Sequence, residues 1–384
     1  IINYLIKTSF KIWILTMQNK KIPLFEPFIG REEKKNVIDC IDSNWISSKG
    51  KYIKKFETQF RRLIKTKYSI TVNNGTAALH LALLALGVKK QHEVIVPTFT
   101  YIAPVNAIRY INAKVKFVDS KINTSQIDEE LITKLITKKT KAIIVPHLYG
   151  QIAEIEKIKK ICQKNKIFLI EDSAEAFGCY YKKKHVGTIG DIGTFSFFGS
   201  KTITTGEGGM VVTNNKKLAE KIFKLKTVGV VQKKNNYWHD IIGYNYRMTN
   251  LCASIGLAQL NKTDLILKKK REVFNFYDKY LNKINVRLNE EIDDSVSSYW
   301  QITAFFNSKL IRNKVRNLLE KNNIETRTTF PPVHTMPMYY NKSNRKKFPI
   351  ANILYDTGIC LPSSPTLKGS QIMKICSLIN KLTS

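Results

Sequence analysis

Short apolar runs alternate with helical patterns along the chain from about residue 70. Residues 94–96, 142–145 and 167–170 form continuous apolar runs of strand length, and Pro97 ends the first of them. Between the last two runs, residues 152–162 carry apolar side chains three and four positions apart, which predicts a helix. This rhythm of strands and helices predicts an α/β protein whose mainly parallel sheet is covered on both faces.

Other segments give weaker patterns. Val115 and Phe117 alternate with lysines, which indicates a half-buried strand. Ser125 precedes apolar residues at helical spacing, so we expect it to cap a helix. A long amphipathic helix is expected to begin near Asp264.

These elements divide the chain into three parts. Residues 1–16 are mostly apolar and precede the first methionine, Met17, so we expect them to be a non-native or upstream extension. Residues 17–264 are expected to form a large domain. Residues 265–384 are expected to supply the long helix and a smaller α+β domain, packed closely on the first.

Composition is that of an ordinary globular protein, with 43% hydrophobic and 24% charged residues. The six cysteines include no CxxC pair, which disfavours a disulfide scaffold and a structural zinc site. We therefore expect free thiols in a reducing cytoplasm and no metal.

The charge balance is less ordinary, because 63 Lys+Arg residues against 30 Asp+Glu residues give a net charge of +33. Such a surplus suits nucleic acid, an anionic membrane surface or small acidic ligands. The basic residues are spread along the chain, however, which favours a solvated, lysine-rich surface. A basic DNA-binding regulator is the alternative from a different class of protein.

The first candidate for chemistry lies where a β-type run, residues 68–72, meets an apolar helix. Asn73, Asn74, Gly75 and Thr76 stand at this junction. The N–H groups at a helix N-terminus bind phosphate well. An ordinary helix cap has the same sequence, so both interpretations stay open.

Two carboxylates follow the run 167–170 directly. Glu171 and Asp172 would lie at the carboxyl end of a parallel strand, where open α/β sheets bind ligands. An acid there can hold a cation, a metal or a protonated ring nitrogen. Capping of the next helix explains the pair equally well.

Lys201 follows the aromatic-rich segment 194–198 and precedes a threonine- and glycine-rich segment, 202–209. Apolar surroundings disfavour the ammonium form, which makes a lysine amine nucleophilic and able to form a Schiff base. A phosphate site, an acid for a ring nitrogen and such a lysine are together the parts of a pyridoxal phosphate enzyme.

Five motifs occur in an order and at a spacing that resemble one family. They are residues 74–79 (NGTAAL), 97–101 (PTFTY), 171–176 (EDSAEA), 195–209 (FSFFGSKTITTGEGG) and 243–248 (GYNYRM). The chain resembles the sugar-nucleotide aminotransferases of the DegT/DnrJ/EryC1 family from about Met17 to near its C-terminus. The resemblance implies the aspartate aminotransferase-like fold (fold type I), with the cofactor bound in the large domain.

The resemblance also implies roles for matching residues. Lys201 is expected to hold the cofactor as a Schiff base and to shuttle the proton, and Asp172 to pair with the pyridinium nitrogen. Tyr101 is expected to stack on the cofactor ring, and Glu175 to lie beside it. The expected phosphate contacts are Gly75, Thr76, Ser196 and Asn245.

The substrate and the partner subunit are less closely defined. Asn245 is expected to reach the cofactor phosphate of a neighbouring subunit, which would make a homodimer, or a tetramer built from it, necessary for activity. The candidates for the nucleotide-sugar pocket are Arg247, His239, Arg327 and His334. Each of these four could equally lie at an interface.

The implied reaction is amino transfer from glutamate to a nucleotide-linked 4-keto-6-deoxy sugar, with pyridoxal 5'-phosphate as cofactor and pyridoxamine phosphate as its intermediate form. Family dehydratases have histidine where this chain has Lys201. Residues 42–50, 237–240 and 332–337 resemble members that act on GDP-4-keto-6-deoxymannose. Phe330-Pro331 departs from the family pattern near the sugar pocket, so a UDP- or dTDP-linked sugar stays open. The resemblance implies a cytoplasmic enzyme of surface polysaccharide (O-antigen) synthesis, without nucleic acid or membrane.

Overall fold

The computed structural model describes residues 21–231, 237–341 and 347–383. The extension predicted for residues 1–16 and the start predicted at Met17 lie outside the described residues. The described helices are α1 (Arg31–Asp42), α2 (Lys51–Ile64), α3 (Gly75–Ala85), α4 (Ala103–Tyr110), α5 (Glu129–Ile132), α6 (Ile155–Asn165), α7 (Lys216–Lys226), α8 (Asn250–Asn261), α9 (Thr263–Tyr280), α10 (Lys309–Lys321), α11 (Pro349–Thr357) and α12 (Gly369–Thr383).

The strands belong to three sheets. They are β1 (Tyr68–Val72), β2 (Glu93–Pro97), β3 (Lys114–Val118), β4 (Thr140–Pro146), β5 (Phe168–Asp172), β6 (Tyr180–Tyr181), β7 (Lys184–His185), β8 (Ile192–Ser196), β9 (Gly209–Thr213), β10 (Val286–Leu288), β11 (Ser295–Val296), β12 (Ile302–Phe306), β13 (Arg327–Thr328) and β14 (Gly358–Leu361). The large sheet has the order β1-β9-β8-β5-β4-β2-β3.

The large sheet is mainly parallel and buried on both faces, as the sequence predicts. Strands β3, β2, β4, β5 and β8 pair in parallel, whereas β9 is antiparallel to both β8 and β1. Successive residues of one strand enter different cores: Val94 and Val96 pack in one hydrophobic cluster, and Ile95 packs in another. Continuous apolar strands of this kind are typical of a sheet covered on both sides.

The C-terminal part has its own sheet and core. Strands β10, β12, β14 and β13 form a four-stranded antiparallel sheet. The long helix α9 begins one residue before Asp264 and contributes Val273 and Tyr277 to a cluster that includes Ile302 and Ile375. The division of the chain into domains at residue 264 stays a prediction.

Two local expectations differ from the structure. Ser125 does not cap a helix: it is buried with a φ of 62°, and Asp128 caps the four-residue helix α5 by accepting a hydrogen bond from the Glu130 N–H at 3.0 Å. The apolar residues that suggested a longer helix are divided between this short helix and the residues around it. The expectation of free cysteines is confirmed, and five of the six are buried, while Cys252 is half-buried.

The sheet topology brings several chain segments to one edge. Strand β9 lies between β8 and β1 and is antiparallel to both. Strand β1 therefore runs parallel to β8, although the two are not neighbours. The carboxyl ends of β1, β2, β4, β5 and β8 therefore lie at the same edge of the sheet. Ligands of open α/β sheets bind at this edge.

Candidate active site

A cavity of about 430 Å³ opens at this edge of the sheet. Eight of the residues predicted from the sequence line it: Gly75, Thr76, Tyr101, Asp172, Glu175, Ser196, Lys201 and Arg327. They come from five separate segments of the chain. Folding therefore brings seven of the eight predicted cofactor residues into one space, together with one of the four predicted substrate residues.

Lys201 lies in the loop that follows β8, and its side chain is only 15% exposed. Its Nζ is 3.5 Å from Oε1 of Glu175 and 4.1 Å from the centre of the Trp300 indole. The surroundings are therefore not simply apolar, as the sequence suggested, because a carboxylate and an aromatic face both attract a cation. Both contacts come from segments distant in sequence.

Glu175 connects Lys201 to the backbone of the cavity wall. Its Oε2 accepts a hydrogen bond from the Tyr149 N–H at 2.9 Å. Burial raises the pKa of the Glu175 carboxyl, and the nearby Lys201 amine offsets part of this effect. The backbone N–H fixes one oxygen of the carboxylate and leaves the other beside the lysine.

Asp172 ends strand β5 and is buried at the base of the cavity. Its Oδ1 accepts a hydrogen bond from the Ala174 N–H at 3.1 Å, so the capping interpretation is correct in part. Burial raises the pKa of this carboxyl, while Lys201 and His147 act in the opposite direction. No cation of the described residues forms an ion pair with this carboxylate, and a protonated ring nitrogen would supply one.

Glu171, the neighbour of Asp172, has a different environment. It accepts hydrogen bonds from the N–H groups of Gly187, Ile189 and Gly190 at 2.6 to 2.8 Å, and its Oε2 lies 3.1 Å from His147 Nε2. Burial alone would raise the pKa of Glu171, but these hydrogen bonds hold it below its ordinary value. Glu171 thus fixes the turn that precedes β8, and it does not line the cavity.

The predicted phosphate cradle is built at the end of β1. The Asn74 side chain caps α3 by accepting a hydrogen bond from the Ala77 N–H at 2.8 Å, so the capping interpretation holds alongside the phosphate one. A Cβ on Gly75 would lie 2.9 Å from Cβ of Ser196, and a Cβ on Gly209 would lie 2.6 Å from the Asn74 carbonyl. Glycine is thus required for the close approach of these segments, which leaves backbone N–H groups and two hydroxyls facing the cavity.

Tyr101 and Phe330 form the outer wall. Tyr101 is 57% exposed, and its ring lies 5.8 Å from the ring of Phe330 at an angle of 55°. The Phe330 N–H donates a hydrogen bond to the hydroxyl of Tyr149 at 3.0 Å. Phe330, where the sequence departs from the family pattern, is therefore a cavity residue.

Four predicted residues lie outside the cavity of the same chain. Asn245 is exposed and accepts a hydrogen bond from Nε of Arg247 at 3.0 Å. His239 is also exposed, with Nδ1 2.9 Å from the Val228 carbonyl oxygen. His334 is buried against Thr98, with Nδ1 2.7 Å from the threonine hydroxyl, and its burial lowers its pKa. Because this histidine points into the protein, its position does not support the predicted substrate contact.

Several cavity residues were not predicted from the sequence. They include His147, Tyr149, Glu207, Trp300 and Gln301. His147 and Tyr149 follow the end of β4, so the rule that polar groups gather at strand ends could have found them. Trp300 has no comparable signal, because it lies in an irregular segment far from every motif.

The residues present fit pyridoxal 5'-phosphate. The glycine-lined cradle offers N–H and hydroxyl donors for a phosphate, Asp172 offers a buried carboxylate for a ring nitrogen, and Lys201 offers an amine between them. Among the described residues there is no group of three or more His, Cys, Asp or Glu that could hold a metal ion. The fold and the site together define an aminotransferase that depends on pyridoxal phosphate.

The particular family follows from comparison with known proteins. Residues 27–380 match the DegT/DnrJ/EryC1/StrS aminotransferase family, and the chain belongs to this family, whose aminotransferases use pyridoxal phosphate. The chain is 51% identical to a GDP-perosamine synthase of Escherichia coli O157:H7, covering 95% of this chain and 99% of that protein. It is 45% identical to a GDP-perosamine synthase of Vibrio cholerae, covering 93% and 98%.

Solved structures agree with the fold. PseC of Helicobacter pylori, an aminotransferase involved in the biosynthesis of pseudoaminic acid, has a TM-score of 0.89 at 27% identity, and the match covers 95% of this chain and 99% of that one. The fold type I expectation is thus confirmed. None of the described helices is long and apolar enough to span a membrane.

Proposed function

We propose that this protein transfers the amino group of glutamate to the 4-keto carbon of GDP-4-keto-6-deoxymannose, giving GDP-perosamine. The observation that carries the proposal is the convergence of Lys201, Asp172, Glu175 and the Gly75–Ser196 cradle in one cavity. The substrate is supported by the identity of 45–51% to GDP-perosamine synthases over nearly the full chain.

The binding residues orient the two halves of the cofactor. The N–H groups at the start of α3, with Thr76 and Ser196, hold the phosphate at the helix N-terminus, where the helix dipole favours negative charge. Asp172 keeps the ring nitrogen protonated from the floor of the cavity. The bound cofactor supplies an electron sink that stabilises the negative charge left when a proton leaves the substrate carbon.

Lys201 moves the proton in both halves of the reaction. Its amine would take the proton from Cα of glutamate in the first half, and the amino group would stay on the bound cofactor when water releases 2-oxoglutarate. In the second half it returns a proton to C4 of the sugar, which receives the amino group. Glu175, 3.5 Å from the amine, holds it in the cavity between these transfers. A positioned acid–base group contributes about 10²–10⁴-fold to the rate.

Asn245 is assigned to a second copy of the chain. It is exposed and lies outside the cavity of its own chain, as expected for a residue that reaches the cofactor phosphate of a neighbouring subunit. The protein would then act as a homodimer with shared active sites, alone or within a tetramer. We assign its product to surface polysaccharide synthesis and the enzyme to the cytoplasm.

The test is product analysis by mass spectrometry and NMR. The protein is offered glutamate and a panel of GDP-, UDP- and dTDP-linked 4-keto-6-deoxy sugars, with Lys201→Ala as the inactive control. We expect a 4-amino product from the GDP-linked sugar and 2-oxoglutarate in equal amount. Preferred turnover of a UDP- or dTDP-linked sugar contradicts the substrate, and equal turnover by Lys201→Ala contradicts the mechanism.

A further inference from the structure

A second lysine is buried directly behind the active-site loop. Lys270 lies on α9 and is only 4% exposed. Its Nζ donates hydrogen bonds to the carbonyl oxygens of Trp300 and Ser363, both at 3.0 Å. No carboxylate of the described residues forms an ion pair with it. Lysine is rarely buried without an acidic partner, because removing the charge from water is costly.

Burial therefore lowers the pKa of Lys270 from 10.5 to about 7. The amine keeps at least two N–H donors whether or not it is protonated. It can therefore hold both carbonyl groups in either state. Lys270 therefore fixes the positions of these two carbonyl groups through its hydrogen bonds, and this role does not depend on its charge.

One of the two carbonyls belongs to the residue that touches Lys201. The Trp300 indole lies 4.1 Å from Lys201 Nζ, and its Nε1 donates a hydrogen bond at 2.7 Å to the carbonyl of Ser200, the residue just before Lys201. The indole also stacks on Phe25, with ring centres 5.7 Å apart at an angle of 17°. Trp300 thus contacts both the side chain and the backbone of the Lys201 segment.

The other carbonyl belongs to a segment that organises the residues after Trp300. The hydroxyl of Ser363 accepts hydrogen bonds from the Ile302 N–H at 2.9 Å and from Nε2 of Gln301 at 3.0 Å. Lys270 therefore joins α9 to both chain segments that set the position of residue 300. Lys270 and Lys201 also line one small cleft.

We propose that Lys270 is a positioning residue for Lys201, which acts by fixing the Trp300 indole against the Lys201 amine. The proposal rests on the assignment of Lys201 as the proton-transfer residue under the proposed function. The indole face and the Glu175 carboxylate both restrict where the amine lies. A displacement of about 1 Å in such a group can reduce a rate by about 10²-fold.

The test is a double-mutant cycle on the holoenzyme. The variants are Lys270→Met, which keeps the stem and removes the donors, Trp300→Phe and the double variant, with Lys268→Met on the exposed side of α9 as control. The rate constant of the glutamate half-reaction is measured by stopped flow without any nucleotide sugar, so failure of the substrate assignment does not affect it. Hydrogen–deuterium exchange of the peptide containing Ser200 and Lys201 is measured on the ligand-free protein.

We expect Lys270→Met to slow the half-reaction by about 10- to 100-fold with little change in the apparent affinity for glutamate. The double variant should equal Trp300→Phe within about twofold, because both changes act through the indole. Exchange of the loop peptide should rise to the same level in all three variants, and Lys268→Met should match the wild type.

Three results would overturn the proposal. If the fold reduction of the rate constant in the double variant equals the product of the two single reductions, Lys270 does not act through Trp300. A rate for Lys270→Met equal to that of Lys268→Met would show that the contact has no role. If Lys270→Met does not fold, Lys270→Gln, which keeps one amide donor group, replaces it in the cycle. If neither variant folds, Lys270 is needed for folding only, and the proposal is wrong.

Discussion

The amine of Lys201 lies 3.5 Å from the carboxylate of Glu175. The two residues come from loops after different strands, β8 and β5, whose carboxyl ends lie side by side. The pair therefore depends on the parallel alignment of these strands. This alignment places a positioned acid–base group inside the cavity.

Glu175→Gln should lower kcat by about 10- to 100-fold. The amide can still accept the hydrogen bond from the Tyr149 N–H, but it no longer presents a negative charge to Lys201. Steady-state kinetics with both substrates measures the effect. Glu156→Gln is the control, because Glu156 also pairs with a lysine, Lys182 at 2.8 Å, but on the exposed surface. Equal kcat values for the two variants would rule out a catalytic role for Glu175.

Asp172→Asn should have opposite effects on stability and cofactor binding. Burial raises the pKa of Asp172 in the folded protein. Below the ordinary value of 3.8, the carboxyl is protonated in both the folded and the unfolded protein, and its ionisation does not change the free energy of folding. As the pH rises above 3.8, the unfolded chain loses the proton first, so the stability of the folded protein falls. This loss of stability is complete above the raised pKa. The ligand-free Asn variant should therefore be more stable than the wild type at pH 7.5 but not at pH 3.5.

The same substitution removes the charge that pairs with a ring nitrogen, so pyridoxal phosphate should bind less tightly. Urea unfolding of the ligand-free protein and spectroscopic titration with the cofactor measure the two effects. A loss of stability at pH 7.5, or unchanged cofactor affinity, would contradict this role for Asp172.

Gly75→Ala should weaken cofactor binding by about tenfold or more, because the new Cβ would lie 2.9 Å from Cβ of Ser196 and push the cradle open. Equilibrium dialysis against pyridoxal phosphate gives the dissociation constant. Gly30→Ala is a matched control, since a Cβ there meets other atoms only at 3.6 Å or more. The phosphate assignment fails if both variants retain the cofactor equally.

Lys201→Ala and Asn245→Ala should complement each other if active sites are shared between subunits. Each variant alone should be nearly inactive. In a mixed dimer, one site combines an intact Lys201 with an intact Asn245 from the other subunit, so the purified mixed dimer should have about half of the wild-type activity. Differently tagged chains allow its isolation. An active Asn245→Ala homodimer, or an inactive mixed dimer, would show that Asn245 does not act across an interface.

Lys270 should make stability depend on pH in the alkaline range. Its pKa is 10.5 in the unfolded chain and about 7 in the folded protein, so between these values only the unfolded state holds the proton. Stability therefore rises with pH between about 7 and 10.5, by at most about 5 kcal/mol. Lys270→Met lacks this contribution. The free energy of unfolding of the wild type, measured in urea, should therefore increase relative to that of Lys270→Met from pH 7 to pH 9.5. A constant difference would show that the pKa of Lys270 is not lowered.

Local chemistry explains why some of the site could be predicted. The cradle at Gly75, the carboxylate at Asp172 and the amine at Lys201 each stand in a short segment whose residue types suit one task. The five motifs then identified the family, and the family match over residues 27–380 confirms that identification. Ser125 shows the limit of this reasoning: its position suggested a helix cap, but the backbone there turns into the left-handed region and Asp128 forms the cap.

The sequence by itself determined the parallel α/β sheet, the family and the residues that we propose for the cofactor chemistry, because hydrophobic periodicity and short motifs act over a few neighbouring positions. Only the tertiary structure decided that Trp300 lies against Lys201 and that Lys270 supports Trp300 from behind. Those contacts join residues up to 99 positions apart in sequence. They depend on how α9, the C-terminal sheet and the large sheet pack together, and packing over such distances leaves no pattern in any one segment.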